Sequence, residues 1–357
     1  MHFPMASHNV IDTSRMIDGP AVWQAVDLRA DESWIWRLTA SDLAEIDCAI
    51  DTARANGVGL PDMTKAAFPL PNLGPRLAAA AQDLDTGCGC LLIKGLDVNR
   101  YGVDVIRDVY WGIGQYLGTA MVQNAAGDLI GNIRDSGRTI GEKNVRGYTT
   151  KNRMLPHCDP MDIVGLLCIH PAKSGGRSLI ASTCAIYNEI CREHPEYLPV
   201  LFRGYHYDLR GEGPTGDPDE ITNNRVPVFS WWHGRMSCRF HGRSIREGMK
   251  KAGQPIAGLD KAAVDYVEAL AVDDRFRFDM DLEQGDIQIL NNYAVLHARD
   301  AFEDWPEQNR RRHLLRLWVN LDPSVARPLD PVFATKNNTG PRGAIHAQAS
   351  HSGWVPR

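Results

Sequence analysis

Gly285-Asp286-Ile287-Gln288-Ile289-Leu290-Asn291-Asn292 leads through Tyr293-Ala294-Val295-Leu296 to His297-Ala298-Arg299-Asp300-Ala301-Phe302. A short loop then brings Arg310-Arg311-Arg312-His313-Leu314-Leu315-Arg316-Leu317-Trp318. Side chains alternate across a strand with a period of two, so Arg312, Leu314, Arg316 and Trp318 share one face while His313, Leu315, Leu317 and Val319 share the other. An arginine facing the interior of a barrel is costly unless it meets a carboxylate, and the planar guanidinium fork suits a bidentate carboxylate pair. Arg310 and Arg311 read as a solvated basic cluster, with Arg311 the inward residue if the strand is shifted by one.

Outward from this stretch, other short strand-like segments are separated by Gly, Pro and Asn: 129–133, 162–169, 178–182, 225–231, 236–240 and 286–290. Many short strands at close spacing predict a sandwich or barrel. Helices are expected over 41–56, where Ser41 reads as the N-cap, and over 73–84, 103–117, 183–194 and 260–272. Cys88 to Gly95 reads as a short buried strand. The two helices beyond residue 180 interrupt the strands without alternating with them, which argues against βαβ units. The chain therefore reads as mainly β with flanking helices: a helical or irregular flank over 1–87, a catalytic unit over 88–320 with an insert at about 202–248, and an irregular tail over 321–357.

His-x-Asp puts two metal-ligand side chains on the same face of a strand. The chain offers it at His157-Cys158-Asp159 and at His206-Tyr207-Asp208, and with glutamate at His194-Pro195-Glu196. Pro156 and Pro160 bracket His157 at a strand end and a strongly apolar strand follows, so His157 is favoured. His194 falls at a predicted helix terminus, and His206 on a segment that reads equally as an exposed polar face. Two imidazoles and one carboxylate on one face of Fe(II) leave three positions open, so the third ligand must come from a distant strand.

The 357 residues carry 39 Lys and Arg against 44 Asp and Glu, a net charge of −5, which removes the basic field that nucleic-acid binding usually needs. The longest apolar run, Ile163 to Ile169, is far short of the roughly 20 residues of a membrane span. The N-terminus shows no secretory signal pattern, so a cytoplasmic protein is expected, with a small-molecule substrate, no nucleic-acid or membrane partner, and homo-oligomerisation open. The eight cysteines are too few for a disulfide framework and read as reduced thiols.

His157-x-Asp159, the Gly175-Gly176-Arg177-Ser178 turn, Gly285-Asp286 before Asn291-Asn292, His297-Ala298-Arg299 and Arg312-x-x-x-Arg316, in that order, resemble the TauD/TfdA-like family of Fe(II)- and 2-oxoglutarate-dependent dioxygenases. The resemblance spans about 88–320 and implies a double-stranded β-helix, the jelly-roll of the clavaminate-synthase-like fold. It also implies that His157, Asp159 and His297 are iron ligands and that Arg312, helped by Ser178, binds the distal carboxylate of 2-oxoglutarate. Arg316 would face either the other carboxylate of that co-substrate or an anionic group of the primary substrate. With Fe(II), 2-oxoglutarate and O₂, the expected reaction is hydroxylation of a small acid-like, amino-acid-like or secondary-metabolite substrate, with release of succinate and CO₂. A different substrate pose would give desaturation, cyclisation or epimerisation; Asp159 disfavours halogenation.

The loop over 146–155 reads as a lid, and Tyr148, Arg153, Arg316 and Trp318 are pocket candidates. Trp231 and Trp232 read as packing residues around a hairpin turn. The alternatives are a cupin-like metal-dependent dioxygenase or isomerase without 2-oxoglutarate, which leaves Arg312 and Arg316 unexplained, and an inert binding module, which has no use for the ligand set.

Overall fold

The computed structural model describes residues 15–138 and 146–335, together with Arg342 and Ile345. Two sheets face each other. The larger runs in the order Ile35–Arg37, Cys90–Lys94, Ile287–Asn291, Ile163–His170, His313–Asn320 and Thr119–Met121, with Gly131–Ile133 also paired to His313–Asn320. Only its first pair is parallel. The smaller sheet is antiparallel throughout, in the order Phe278–Met280, Ser178–Ser182, Val295–Arg299 and Met154–His157. This is the expected double-stranded β-helix, with helices packed outside.

Strand Ile163–His170 is apolar from Ile163 to Ile169 because both of its faces are covered there. Ile163, Leu167 and Ile169 pack into the cluster shared with the outer helices, while Val164 and Cys168 face the space between the sheets. His313–Asn320 obeys the expected alternation: Leu315, Leu317 and Val319 join the helix-side cluster, and Leu314 and Trp318 turn inward. Helix Val103–Leu117 lies against this strand so closely that a Cβ at Gly114 would stand 2.2 Å from Leu317 Cδ2. Glycine is required there by contact.

Several expectations are corrected. Helix Ala40–Ala55 is capped by Thr39, not Ser41: the Thr39 hydroxyl accepts from the Asp42 N–H and the Asp42 carboxylate accepts in return from the Thr39 N–H. Val295–Arg299, not expected as a strand, lies inside the smaller sheet. The strand expected from 225 begins only at Phe229, and its hairpin with Arg235–Cys238 turns at His233 and Gly234, both at positive φ. Helices Leu198–Arg203 and Gly242–Lys251 were not anticipated.

Beyond Asn320 the described residues form no strand or α-helix, yet they are anchored. Arg327 reaches back to Asp85 at the end of helix Leu73–Thr86, which also holds Arg235 at 2.8 Å and accepts from Asn291 Nδ2 at 3.1 Å. Asp85 and Arg327 are both about 5 % exposed. Removing one member of a buried pair strands the other, at a cost of about 3–5 kcal/mol. Asp85→Ala should therefore lower the urea midpoint by an amount equivalent to several kcal/mol; a loss under about 1 kcal/mol would show that the pair is solvent-screened.

Candidate active site

Between the sheets, antiparallel pairing of Met154–His157 with Val295–Arg299 sets His157 directly opposite His297. Their ring centroids are 4.3 Å apart. Asp159 follows two residues after His157, and the Asn292 side chain fixes its position by accepting from its backbone N–H at 3.0 Å. Asp159 Oδ1 lies 3.8 Å from His157 Nε2, and Oδ2 lies 3.6 Å from His297 Nε2. One candidate ligand atom from each residue falls within 4.8 Å of the others, and all three residues are buried. His157 Nδ1 is 2.8 Å from the Leu155 carbonyl, which makes it the protonated nitrogen and leaves Nε2 as a free donor.

Burial raises the Asp159 carboxyl, but Arg316, His297, His157 and the Trp318 indole together outweigh it and hold the group at about 2. Burial, then the charge of His157, pushes His297 down to about 3; burial likewise lowers His157. Near neutrality the set is thus one carboxylate and two uncharged imidazoles, the donor chemistry that a divalent iron ion takes.

Beside this set, Arg312 lies under Phe302 with its guanidinium 5.1 Å from the ring. Its Nη1 is buried without a hydrogen-bond partner among the described residues, and burial lowers the group to about 10. Ser178 lines the same cavity, with its hydroxyl donating to Gln288 Oε1 at 2.9 Å. Arg299 also lines it. Quoted above only as part of a motif, Arg299 is a second buried cation, lowered to about 9 by burial and then by Arg312. Its Nη2 donates to the Thr150 and Asn152 carbonyls of the loop before the first histidine. The available signal was its place two residues after His297, on the same strand face.

Arg316 is held between Tyr148 and Trp318, at 4.8 and 3.9 Å from the two rings. Its Nε donates to Gln123 Oε1 at 2.9 Å, and its Nη1 is 3.9 Å from Asp159 Oδ2. Trp318 Nε1 donates to Asp159 Oδ2 at 2.8 Å, so this indole braces the carboxylate. Arg153 does not join the group: it is exposed and outside the cavity lining, because the loop turns it to solvent. Arg311 is also exposed, so the strand is not shifted and Arg312 is the inward residue. Cys158 packs into the cluster behind the site. Of the rival pairs, His206 is bound to the Thr222 carbonyl and His194 to Glu196, both away from the cavity. The sequence reading missed His241, whose ring is 5.1 Å from that of His157.

The profile of the taurine catabolism dioxygenase TauD, TfdA family matches residues 57–318. The chain is 33% identical over 310 residues to the FR-33289 synthase of Streptomyces rubellomurinus, covering 86% of this chain and 91% of that protein. It is 28% identical over 336 residues to the taurine hydroxylase-like protein SAT17 of Stachybotrys chartarum, covering 91% and 84%. A solved asparagine oxygenase in complex with Fe(II), 2S,3S-3-hydroxyasparagine and succinate superimposes with a TM-score of 0.62 at 15% identity, over 80% of this chain and 93% of that one.

A hydrogen bond to a ligating carboxylate orients it and keeps it ionised, and losing such a partner costs roughly 10- to 100-fold in metal affinity. Trp318→Phe should therefore weaken anaerobic Fe(II) binding by about that factor and move its acid limit to higher pH, since Asp159 would protonate more readily. An unchanged affinity would show that Arg316 alone holds the carboxylate.

Proposed function

The chain belongs to the TauD/TfdA family and is an Fe(II)- and 2-oxoglutarate-dependent dioxygenase, and on that footing we propose that His157, Asp159 and His297 hold the iron while Arg312 anchors 2-oxoglutarate. The observation that carries this assignment is the conjunction of two neutral imidazoles and one carboxylate with a buried guanidinium that has no carboxylate of its own. A buried unpaired cation is unfavourable, and a dicarboxylate supplies the missing charge with two oxygens that fit the fork. Ser178 adds a hydroxyl at the same wall. When bound, iron with 2-oxoglutarate and O₂ supplies the oxidising chemistry that hydroxylates a C–H bond and releases succinate and CO₂.

The residues around the centre do the positioning. Asn292 and Trp318 fix Asp159, the Leu155 carbonyl sets the His157 tautomer, and the Phe302 ring packs against the Arg312 guanidinium. Tyr148 and Arg316 form the wall that a substrate meets. The substrate is a small acid- or amino-acid-like molecule; the hydroxylated amino acid held by the asparagine oxygenase supports this, as does Asp159 being the one carboxylate among the described residues of the cavity lining. Hydroxylation is the default outcome, and Asp159 disfavours halogenation, since it would fill the ligand position that a halide needs.

Anaerobic titration with Fe(II) and 2-oxoglutarate should produce a visible metal-to-ligand charge-transfer band. His297→Ala should abolish it. Arg312→Gln should raise the 2-oxoglutarate requirement by roughly 30-fold or more, equivalent to about 2 kcal/mol or more for a truncated buried charge pair, with Fe(II) binding retained. No band in the unmodified protein, or an unchanged requirement in Arg312→Gln, would refute the corresponding assignment.

A further inference from the structure

Cys88-Gly89-Cys90 lies outside the metal cavity, where helix Leu73–Thr86 ends and strand Cys90–Lys94 begins. Both cysteines line a separate cleft of about 850 Å³ between that helix and residues 20–37, with Trp23, Trp34 and Trp36 among its walls. Their sulfurs are 3.5 Å apart, and Cys88 Sγ is also 3.3 Å from the Cys90 carbonyl. Cys88 is half-buried and reachable from the cleft, whereas Cys90 is 5 % exposed. Gly89 permits this approach: at φ +80° it bends the chain between the two residues. The hydrogen-bonded Cys90 thiol brings Cys88 down to about 7 against the opposing effect of burial, while Cys88, then burial, pushes Cys90 up. An accessible thiol that ionises near neutrality beside a protonated, sheltered one is the arrangement of an attacking and a resolving cysteine.

The pair is also tied to the turn that feeds the His297 strand. Trp23 Nε1 donates to the Cys88 carbonyl at 2.8 Å, and the Asn291 N–H donates to the Gly89 carbonyl at 2.9 Å. A Cβ at Gly89 would stand 3.0 Å from Val295 Cγ2 and 3.1 Å from Ala294 Cβ, so this bend has little free space on the side of that turn. Bonded sulfurs sit about 2.05 Å apart, so closing a disulfide here draws them together by roughly 1.5 Å. A ring closed across a single residue leaves the backbone few ways to absorb that movement, and the movement passes to Asn291, Ala294 and Val295.

We propose that Cys88 and Cys90 are a redox-active pair which a small disulfide converts to an internal disulfide, and that closure loosens the turn over 291–296. The Cys88 thiolate attacks one sulfur of R–S–S–R; that S–S bond breaks, R–S⁻ leaves with the electron pair, and a mixed disulfide forms on Cys88. Cys90 then gives its proton to water and its sulfur attacks Cys88 Sγ, expelling the second R–S⁻. The two thiols lose two electrons and two protons, and R–S–S–R becomes two R–SH. So tight a ring is labile, and a small dithiol reopens it. Asp27, Asp31 and Asp83 line the cleft against Arg37 and Arg76, and these arginines are already ion-paired with Glu32 and Asp42, so a cationic disulfide enters more readily than an anionic one. Because Asn292 in the same turn positions Asp159, closure weakens Fe(II) binding; this last consequence rests on the iron assignment made above.

The test treats the full chain with cystamine, removes the reagent by gel filtration and compares the product with a sample reopened by dithiothreitol. Peptide mapping should find a Cys88–Cys90 link in the first and free thiols in the second. In the metal-free protein, amide hydrogen exchange over 291–296 should quicken on closure, and anaerobic Fe(II) affinity should fall roughly tenfold, as for a displaced outer partner of a ligand, and recover on reopening. Cys90→Ser should stop at the mixed disulfide on Cys88, and Cys88→Ser should bind Fe(II) equally with and without cystamine. Absence of the link, equal exchange or equal Fe(II) affinity in the closed and reopened samples, or a cystamine effect that persists in Cys88→Ser would overturn the proposal. Failure of the reopened protein to bind Fe(II) would remove the iron assignment, while the link and the exchange would still decide the pair.

Discussion

The cross-strand pair His157 and His297 is the constraint around which the rest is arranged. Two imidazoles from residues 140 positions apart can share one ion only if the strands carrying them are paired in one register, since a slip of one residue would turn either ring to the opposite face. The smaller sheet enforces that register from both sides: Ser178–Ser182 pairs along the whole of Val295–Arg299, and the Phe240 carbonyl accepts from the Cys158 N–H at 2.8 Å beyond the end of Met154–His157. Asn292, in the turn that feeds the His297 strand, then holds Asp159. One turn and one register therefore determine all three side chains.

Charge is the second organising quantity. A mildly acidic protein concentrates Arg239, Arg299, Arg312 and Arg316 around a centre whose resident carboxylate is Asp159. Some of these guanidiniums donate to backbone carbonyls in place of acids: Arg299 to Thr150 and Asn152, Arg239 to Cys158. A carbonyl fixes a guanidinium's geometry without cancelling its charge, so positive potential is preserved for anionic molecules entering from outside. Arg316 sits differently, clasped by two aromatic rings and the amide of Gln123, and its nearness to Asp159 stabilises the ionised carboxylate.

Much of this was legible where a residue pattern has a periodic physical cause. The alternation in His313–Asn320 told its two faces apart, and with them Arg312 and Arg316 from the exposed Arg310 and Arg311. Helix Val103–Leu117 was readable from its apolar spacing. Val295–Arg299 was not, because both of its faces are covered and every residue is buried, which erases the alternation that marks a half-exposed strand. The cap at Thr39 was displaced by two residues because Thr39 and Ser41 both offer a hydroxyl, and only the Asp42 carboxylate folding back decides between them. Loop charges carry no period at all: nothing local separates Arg153, turned to solvent, from Arg146, paired with Glu212. His241 is in the same position, since its place depends on helix Gly242–Lys251 docking against the smaller sheet.

Asp85 joins the end of a helix, the Arg235 hairpin, Asn291 in the ligand-bearing region and Arg327 in the C-terminal segment. In evolutionary terms such a hub restricts the order in which these positions can change. Losing the carboxylate first leaves Arg327 buried without a counter-charge, and losing Arg327 first leaves the acid with only the half-buried Arg235 as a partner. Related chains should therefore keep Asp85 and Arg327 together or replace both by apolar residues, with few carrying one alone. Joint inheritance of two residues 242 positions apart would make the C-terminal segment as old as the barrel it closes.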